Sequence, residues 1–172
     1  MRKIFIILFI YVFQFNITLA NTTISFIDMD KVISTSKPGL SIIKQLNNIN
    51  KKNSIKFEND GKKLKEKEAK LISQKNILSE KDFQSKVIKL KLEINDYKEN
   101  RNKINNDFNK LKINNTKKFL KQINPILIKY SSDKSISIIL QKKDLIMGKT
   151  TLDITDEIIN IVDNNIDKFK IQ

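Results

Sequence analysis

The 172-residue chain has no cysteine, histidine or tryptophan, and only three glycines and two prolines. Without cysteine nothing covalent staples the fold, and without histidine the commonest general base and the commonest neutral metal ligand are missing. So few glycines and prolines leave little material for the tight turns of an all-β domain, while a Lys/Ile/Asn-rich composition suits long helices with solvated faces. Long apolar runs are also scarce. The single candidate, Ile4 to Phe13, follows Arg2 and Lys3 and precedes Thr18-Leu19-Ala20, which together read as the three parts of a secretory signal peptide. An uninterrupted run of about ten apolar residues is short for a bilayer span, which needs about 20. Residues 1–20 are therefore expected to be cleaved after Ala20, giving an exported, soluble chain that starts at Asn21.

What the chain has in excess is positive charge. Thirty-three Lys and Arg face 19 Asp and Glu, a formal net charge of +14, or +12 once Arg2 and Lys3 are removed with the signal. The excess concentrates between Lys51 and Lys118, with about twenty basic residues against about ten acidic ones. For an exported chain, such a field favours acidic polypeptides, lipid head groups or lipopolysaccharide, and makes nucleic acid an adventitious rather than a physiological partner.

The same stretch carries a heptad pattern that runs out, reverses near Ser79 and returns. On the return limb Phe83, Leu90, Tyr97, Ile104 and Leu111 recur every seventh residue, with Val87, Ile94 and Phe108 offset by four, as in the seam of a coiled coil. The outgoing limb keeps one column, Phe57, Leu64, Leu71 and Leu78, while its companion column holds Asn53, Asp60, Lys67 or Glu68, and Lys75. One apolar column holds two helices loosely; a rigid rod needs both. Ser79-Glu80-Lys81-Asp82 supplies a hydroxyl at a candidate N-cap and a carboxylate three residues on, so the return helix is expected to start there. Arg101, on an otherwise apolar seam position, reads as a local loosening or register device.

Two short strand-bearing ends bracket this arm. Thr23 to Asp28 has the β-branched and aromatic character of a strand, followed by a short helix from about Met29 to Thr35. Pro38-Gly39 then interrupts the chain, and the outgoing helix is expected from about Leu40 to Leu78. The return helix is expected to continue to Tyr130, kinked at Pro125. Ser135 to Gln141 is the best strand in the sequence. A polar turn at Lys142-Lys143-Asp144 leads to a second short strand, Leu145 to Met147, making a hairpin, and a helix from about Thr155 to Phe169 closes the chain. The expected fold is α+β and mostly helical: a body of about three strands (residues 21–39 and 120–172) carrying a long antiparallel helical hairpin (40–119) with its tip near 78–82. Three strands with one helical face are marginal alone, so oligomerisation is expected.

The terminal blocks resemble those of the OmpH/Skp-like periplasmic chaperones. Ile24-Ser25-Phe26-Ile27-Asp28-Met29-Asp30-Lys31-Val32, directly after a signal peptide, is similar to that family's opening strand and short helix. Ser137-Ile138-Ile139-Leu140 and Leu152-Asp153-Ile154-Thr155-Asp156-Glu157-Ile158-Ile159 resemble its later strand and closing helix. In element order and length the similarity covers essentially the whole mature chain. Gly148 and Lys149 depart from it where relatives often carry an aromatic or apolar second strand, and the outgoing arm is poorer in seam residues than a typical tentacle.

The resemblance implies a homotrimer whose strands build a central β-body, with three helical hairpins enclosing a cavity for unfolded outer-membrane β-barrel proteins. Such holdases use no ATP, metal or catalytic residue. Ile24, Phe26, Ile136, Ile138, Ile139 and Leu140 are then expected in the trimerisation core, and Lys62, Lys63, Lys65, Lys67 and Lys70 on the cargo-facing arm. The residues themselves offer no nucleophile beside a base, no phosphate-cradling glycine loop and no paired carboxylates, so neither enzyme activity nor a cofactor is expected. Asp153, Asp156 and Glu157 could in principle ligate a hard cation. Helix capping by Asp153 or Thr155, with Asp156 and Glu157 complementing the dipole, accounts for them better. The expectation is an ATP-independent periplasmic holdase; the alternative is a structural or membrane-associating coiled-coil protein of the envelope.

Overall fold

A computed structural model describes residues 22–171. The expected signal peptide, residues 1–20, lies outside the described residues. Strand β1 (Thr23–Ile27) leads into helix α1 (Met29–Thr35), followed by the long helices α2 (Lys37–Ser73) and α3 (Glu80–Asp133). Strand β2 (Ile136–Gln141), 3-10 turns at Lys142–Asp144 and Thr150–Leu152, and helix α4 (Thr155–Asn165) complete the fold.

Local chemistry sets these boundaries. Asp28 caps α1 by accepting the Lys31 amide at 2.9 Å. Ser36 then caps α2 by accepting the Gly39 amide, so Pro38 and Gly39 lie inside the first turn of the outgoing helix and not in a linker ahead of it. The outgoing helix consequently begins at Lys37, three residues before the expected Leu40. The corner between α1 and α2 is tight enough that a Cβ on Gly39 would sit 2.0 Å from the Ile33 carbonyl oxygen, which restricts this position to glycine. At the tip α2 ends at Ser73, and residues 74–78 turn the chain. Ser79 caps α3 as expected, accepting the Asp82 amide at 3.2 Å while its hydroxyl donates to the Asp82 carboxylate at 2.6 Å. Helix α3 runs through Pro125 for two further turns to Asp133. At about 1.5 Å per residue, α2 is about 55 Å long and α3 about 80 Å, and the surplus of α3 is the part built into the body.

Ten side chains form the body core. They come from β1 (Ile27), α1 (Val32), the start of α2 (Ile42, Leu46), α3 (Phe119, Ile123), the α4 entry (Ile154), α4 itself (Ile158, Val162) and the C-terminal tail (Phe169). The tail corrects the expected length of the closing helix, which ends at Asn165. Residues beyond it leave the helix so that Phe169 can pack edge-on against Phe119, with centroids 6.1 Å apart. Gln45 fastens this arrangement, donating to the Phe169 carbonyl at 2.6 Å and accepting the Ile171 amide at 3.3 Å. Burying an aromatic ring and satisfying three polar groups outweighs one further helical turn.

The sheet also differs from expectation. Among the described residues it has two strands, not three, and β1 pairs with β2 in parallel, with Phe26 opposite Leu140 and Ile27 opposite Gln141. Parallel strands require a long crossover, and here the crossover is the whole arm. Leu145 to Met147 do not return antiparallel to β2. The 3-10 turn at Lys142–Asp144 directs the chain across Phe26, where Gly148 packs so closely that a Cβ would lie 2.7 Å from the ring, and the Lys142–Asp153 ion pair (2.9 Å) holds the turn in place. The outer edge of β1 is occupied by the α4 entry, since the Ile154 amide donates to the Phe26 carbonyl at 3.0 Å.

Candidate functional site

Two surfaces have the chemistry expected of function, the arm and the outer part of the body sheet. The arm pairs along the seam read from the heptads. On α3, Phe83, Val87, Leu90, Ile94, Tyr97, Ile104, Phe108 and Leu111 are all half-buried; on α2, Phe57, Leu64 and Leu78 are half-buried and Leu71 is buried. Lys67 and Lys75, in the weak companion column, remain exposed. Half-burial at every one of these positions but Leu71 means that both helices keep apolar surface within reach of solvent. The pairing of Lys67 with Glu93 at 2.5 Å and of Lys86 with Gln74 at 3.3 Å fixes an antiparallel register in which Phe57 lies opposite Arg101 to Ile104.

Near the middle of the arm the contact becomes polar. The Tyr97 hydroxyl donates to the Phe57 carbonyl at 3.1 Å, and the Arg101 guanidinium lies 5.7 Å from the Phe57 ring centroid, in cation–π range. Gly61 makes room for the phenol, since a Cβ there would stand 3.4 Å from its oxygen. Arg101 is thus an exposed cover on Phe57. The sequence-level sign of this contact was the coincidence of a mid-helix glycine with a seam tyrosine on the facing helix.

The five arm lysines singled out from sequence are all exposed but do not form one cluster. Lys62 is engaged with Glu58 on its own helix at 2.8 Å. The hydrogen bond and the charge of Lys62 hold the Glu58 carboxyl below the usual range, and Glu58 raises the Lys62 ammonium in return. Lys63 and Lys67 border a groove of about 380 Å³ with Leu64 and Tyr97. Nearer the tip, Lys67 and Lys70 converge with Lys86 and Lys89 of α3 around a groove of about 520 Å³ floored by Leu71 and Leu90. Lys86 and Lys89 were not among the expected site residues. Only the antiparallel register brings them to this place. Four ammonium groups over an apolar floor, with Glu93 the one acid lining it, can hold an acidic, partly apolar ligand without a deep pocket.

On the body, Ile24, Ile138 and Leu140 lie on the outer face of the sheet with 42, 45 and 40 % of their surface exposed. Phe26 shares that face but is buried under Gly148, with the Lys142 ammonium 5.9 Å from its ring centroid. Ile136 and Ile139 are half-buried against the core. Asp153 accepts the Thr155 amide at 3.0 Å and the Lys142 ammonium at 2.9 Å, and the Thr155 hydroxyl, which also donates to Asp153, accepts the Asp28 amide at 2.9 Å. Burial pushes the Asp153 carboxyl up, but these hydrogen bonds together outweigh it and hold the group below its ordinary value. Asp156 is paired with Lys31 at 2.6 Å. The acidic cluster is therefore a knot joining β1, α1 and α4, and among the described residues no group of three potential ligands has the geometry to hold a metal.

The profile of the family described as "Outer membrane protein (OmpH-like)" matches residues 23–162, from the first strand to the closing helix. The chain belongs to the OmpH-like family. A solved structure from Caulobacter crescentus CB15, described as a candidate OmpH-like outer membrane chaperone, superposes on this OmpH-like chain with a TM-score of 0.79. It covers 87 % of this chain and 88 % of that one at 12 % identity, a likeness of fold. No curated protein matches the sequence significantly.

Proposed function

We propose that this OmpH-like protein is an ATP-independent holdase of the periplasm that works as a homotrimer and shelters unfolded outer-membrane β-barrel proteins between its helical arms. The observation that carries this reading is the arm itself: a basic hairpin whose seam residues, Leu71 apart, are only half-buried, offering long-range attraction and many shallow apolar contacts. A chain rich in alternating apolar residues can be held by such contacts and released without chemical work, because no single contact is strong. Family membership and the shared fold support the chaperone role. In this reading the body, residues 21–39 and 120–172, assembles the trimer, and Ile24, Ile138 and Leu140 belong to its interface.

The test is light scattering of a denatured β-barrel protein diluted into buffer without nucleotide. The parent is expected to keep it soluble. A variant in which residues 57–104 are replaced by a short polar turn preserves the arm register and is expected to keep its fold and lose protection. Equal protection by the shortened protein would remove the arm from the mechanism. One observation favours a second reading: the tip exposes Ile72 and Ile77, the latter by 82 %, beside Lys75, as a membrane-seeking surface would. Co-sedimentation with anionic vesicles, without any protection of the β-barrel protein, would select the membrane-associating alternative.

A further inference from the structure

Three positions of α2, Lys37, Ser41 and Gln45, stand four residues apart, so they form one stripe along the first turns of that helix. Each is engaged by the C-terminal segment. The Lys37 amide donates to the Asp163 carboxylate at 2.6 Å, and the Ser41 hydroxyl donates to the Phe169 carbonyl at 3.2 Å. Gln45 donates to the same carbonyl at 2.6 Å and accepts the Ile171 amide at 3.3 Å. The Phe169 ring packs edge-on against Phe119 of α3. Past Ile166, whose amide closes the last turn of α4, the main chain of this segment makes no hydrogen bond to other main chain among the described residues. It is held by α2 and α3, and not by a continuation of its own helix.

The two arm helices need this fastening unequally. Helix α3 continues beyond Phe119 to Asp133 inside the body, with Ile123 fully buried, so the body sets its direction over several turns. Helix α2 starts at the edge of the body, at Lys37, and after Leu46 buries no residue until Leu71 near its far end. Its course away from the body is therefore fixed within its first turns, which are the turns that the C-terminal segment grips. A tilt there is amplified: over the roughly 40 Å of α2 beyond Gln45, a rotation of about 10° moves the tip by about 7 Å. The residues that match the family end at Val162, so the likeness to the family does not account for this segment.

We propose that residues 163–171 are a strap that sets the angle at which the arm leaves the body, with Gln45 and Phe169 as its positioning residues. The carboxylate of Asp163 and the carbonyl of Phe169 hold the stripe of α2, while the Phe169 ring ties the same piece of chain to Phe119 of α3. Both limbs of the hairpin are thus fastened at the root to one short segment. An arm fixed at its root keeps a polypeptide enclosed, and an arm that swings lets it go sooner. That consequence rests on the holdase reading above, whereas the strap itself is a property of the single chain. The lysines of the arm take no part in it, so the attraction of cargo is left as it is.

The absence of native cysteine makes the test direct. Spin labels at Glu68→Cys on the arm and Asn160→Cys on α4, both exposed positions, report the direction of the arm by double electron–electron resonance. Labelled chains are refolded in an excess of unlabelled ones, so that distances within one chain dominate. The parent should give one narrow distance. Gln45→Leu removes the clasp on Phe169 and Ile171 while leaving every member of the body core in place, so circular dichroism should be unchanged. The distance distribution should nevertheless broaden by about 6 Å, the arc that a tilt of about 10° sweeps between Gln45 and Glu68. Phe169→Ala should broaden it further. An undisturbed distribution in both variants would overturn the proposal, whatever happens to the melting temperature. Stopped-flow measurements with a labelled unfolded β-barrel protein then give a split that a general loss of stability would not produce. Release from Gln45→Leu should quicken by about fivefold while association keeps the parent rate. Parent-like release from a broadened arm would overturn the link to holding. A parent that binds no barrel protein would overturn the holdase reading, while the distances still decide the strap.

Discussion

The arm and the body are built from the same few residue types but obey different packing rules. In the body, side chains from seven separate segments converge on one core, and Phe119, Ile123, Ile158 and Val162 lose all contact with water. In the arm two helices share a single seam, in which Leu71 alone is buried among the residues of its apolar columns. The body depends on close fits at particular positions, such as Gly39 in its corner and Phe169 under Gln45. The arm depends on register and charge, and tolerates Lys67 and Lys75 where a rigid coiled coil would need apolar residues. The two regions thereby differ in kind: the body holds the chain together, and the arm keeps apolar surface and positive charge within reach of solvent.

The largest expected effect breaks the comparison if it is wrong. Phe119→Ala should destabilise the protein by about 3–5 kcal/mol, because it opens a cavity among residues that cannot collapse. Leu90→Ala in the arm should cost only about 1–2 kcal/mol, since that side chain is half in water already. Urea titration followed by circular dichroism measures both, and equal losses would mean that the arm is packed like the body.

A smaller effect sharpens the electrostatic half. Replacing Lys62, Lys63, Lys65, Lys67 and Lys70 by Gln keeps helix propensity nearly constant and should slow association with a labelled unfolded barrel protein by about tenfold at low salt. The difference should shrink as salt rises from about 0.05 to 0.5 M and the Debye length falls from roughly 14 to 4 Å. Adding Lys86→Gln and Lys89→Gln should slow it further, because these residues complete the groove near the tip. Stopped-flow rates that are unchanged at low salt would reduce the lysines to a solvated face.

The smallest effect concerns the knot around Asp153. Its folded-state carboxyl titrates below the unfolded value of about 3.9, so its contribution is present above that pH and is lost as pH falls through the folded-state value. Asp153→Asn should therefore lower the melting temperature at pH 7, and the gap to the parent should close below about pH 4. A gap that persists undiminished at pH 2 would show that packing around the residue, and not its charge, is what matters.

Much of this molecule was legible because its longest elements repeat. The heptads of Phe83 to Leu111 located the return helix and its half-buried stripe, Ser79 and Asp82 marked its start, and the β-branched runs located β1 and β2. Those signals are local: a 3.6-residue period, a hydroxyl three residues before an amide, a stretch that favours the pleated backbone. The terminal blocks were also enough to suggest the family that the profile match establishes.

What the sequence left open depended on which segments meet across more than a hundred residues. No local period shows that β1 pairs with β2 in parallel. Nor does one show that Phe169 leaves its helix to be clasped by Gln45, or that Leu145–Met147 is held away from β2 by Lys142, Asp153 and Gly148. The same holds for Lys86 and Lys89, which join Lys67 and Lys70 only through the antiparallel register. By itself the sequence determined the helices, their seam, the two strands and the sign of the arm's field, because each follows from neighbours along the chain. Only the tertiary structure decided the strand partners, the fate of the second strand-like segment and the composition of the basic groove, because in each case side chains distant in sequence compete for the same space and the best-packed, fully hydrogen-bonded arrangement wins.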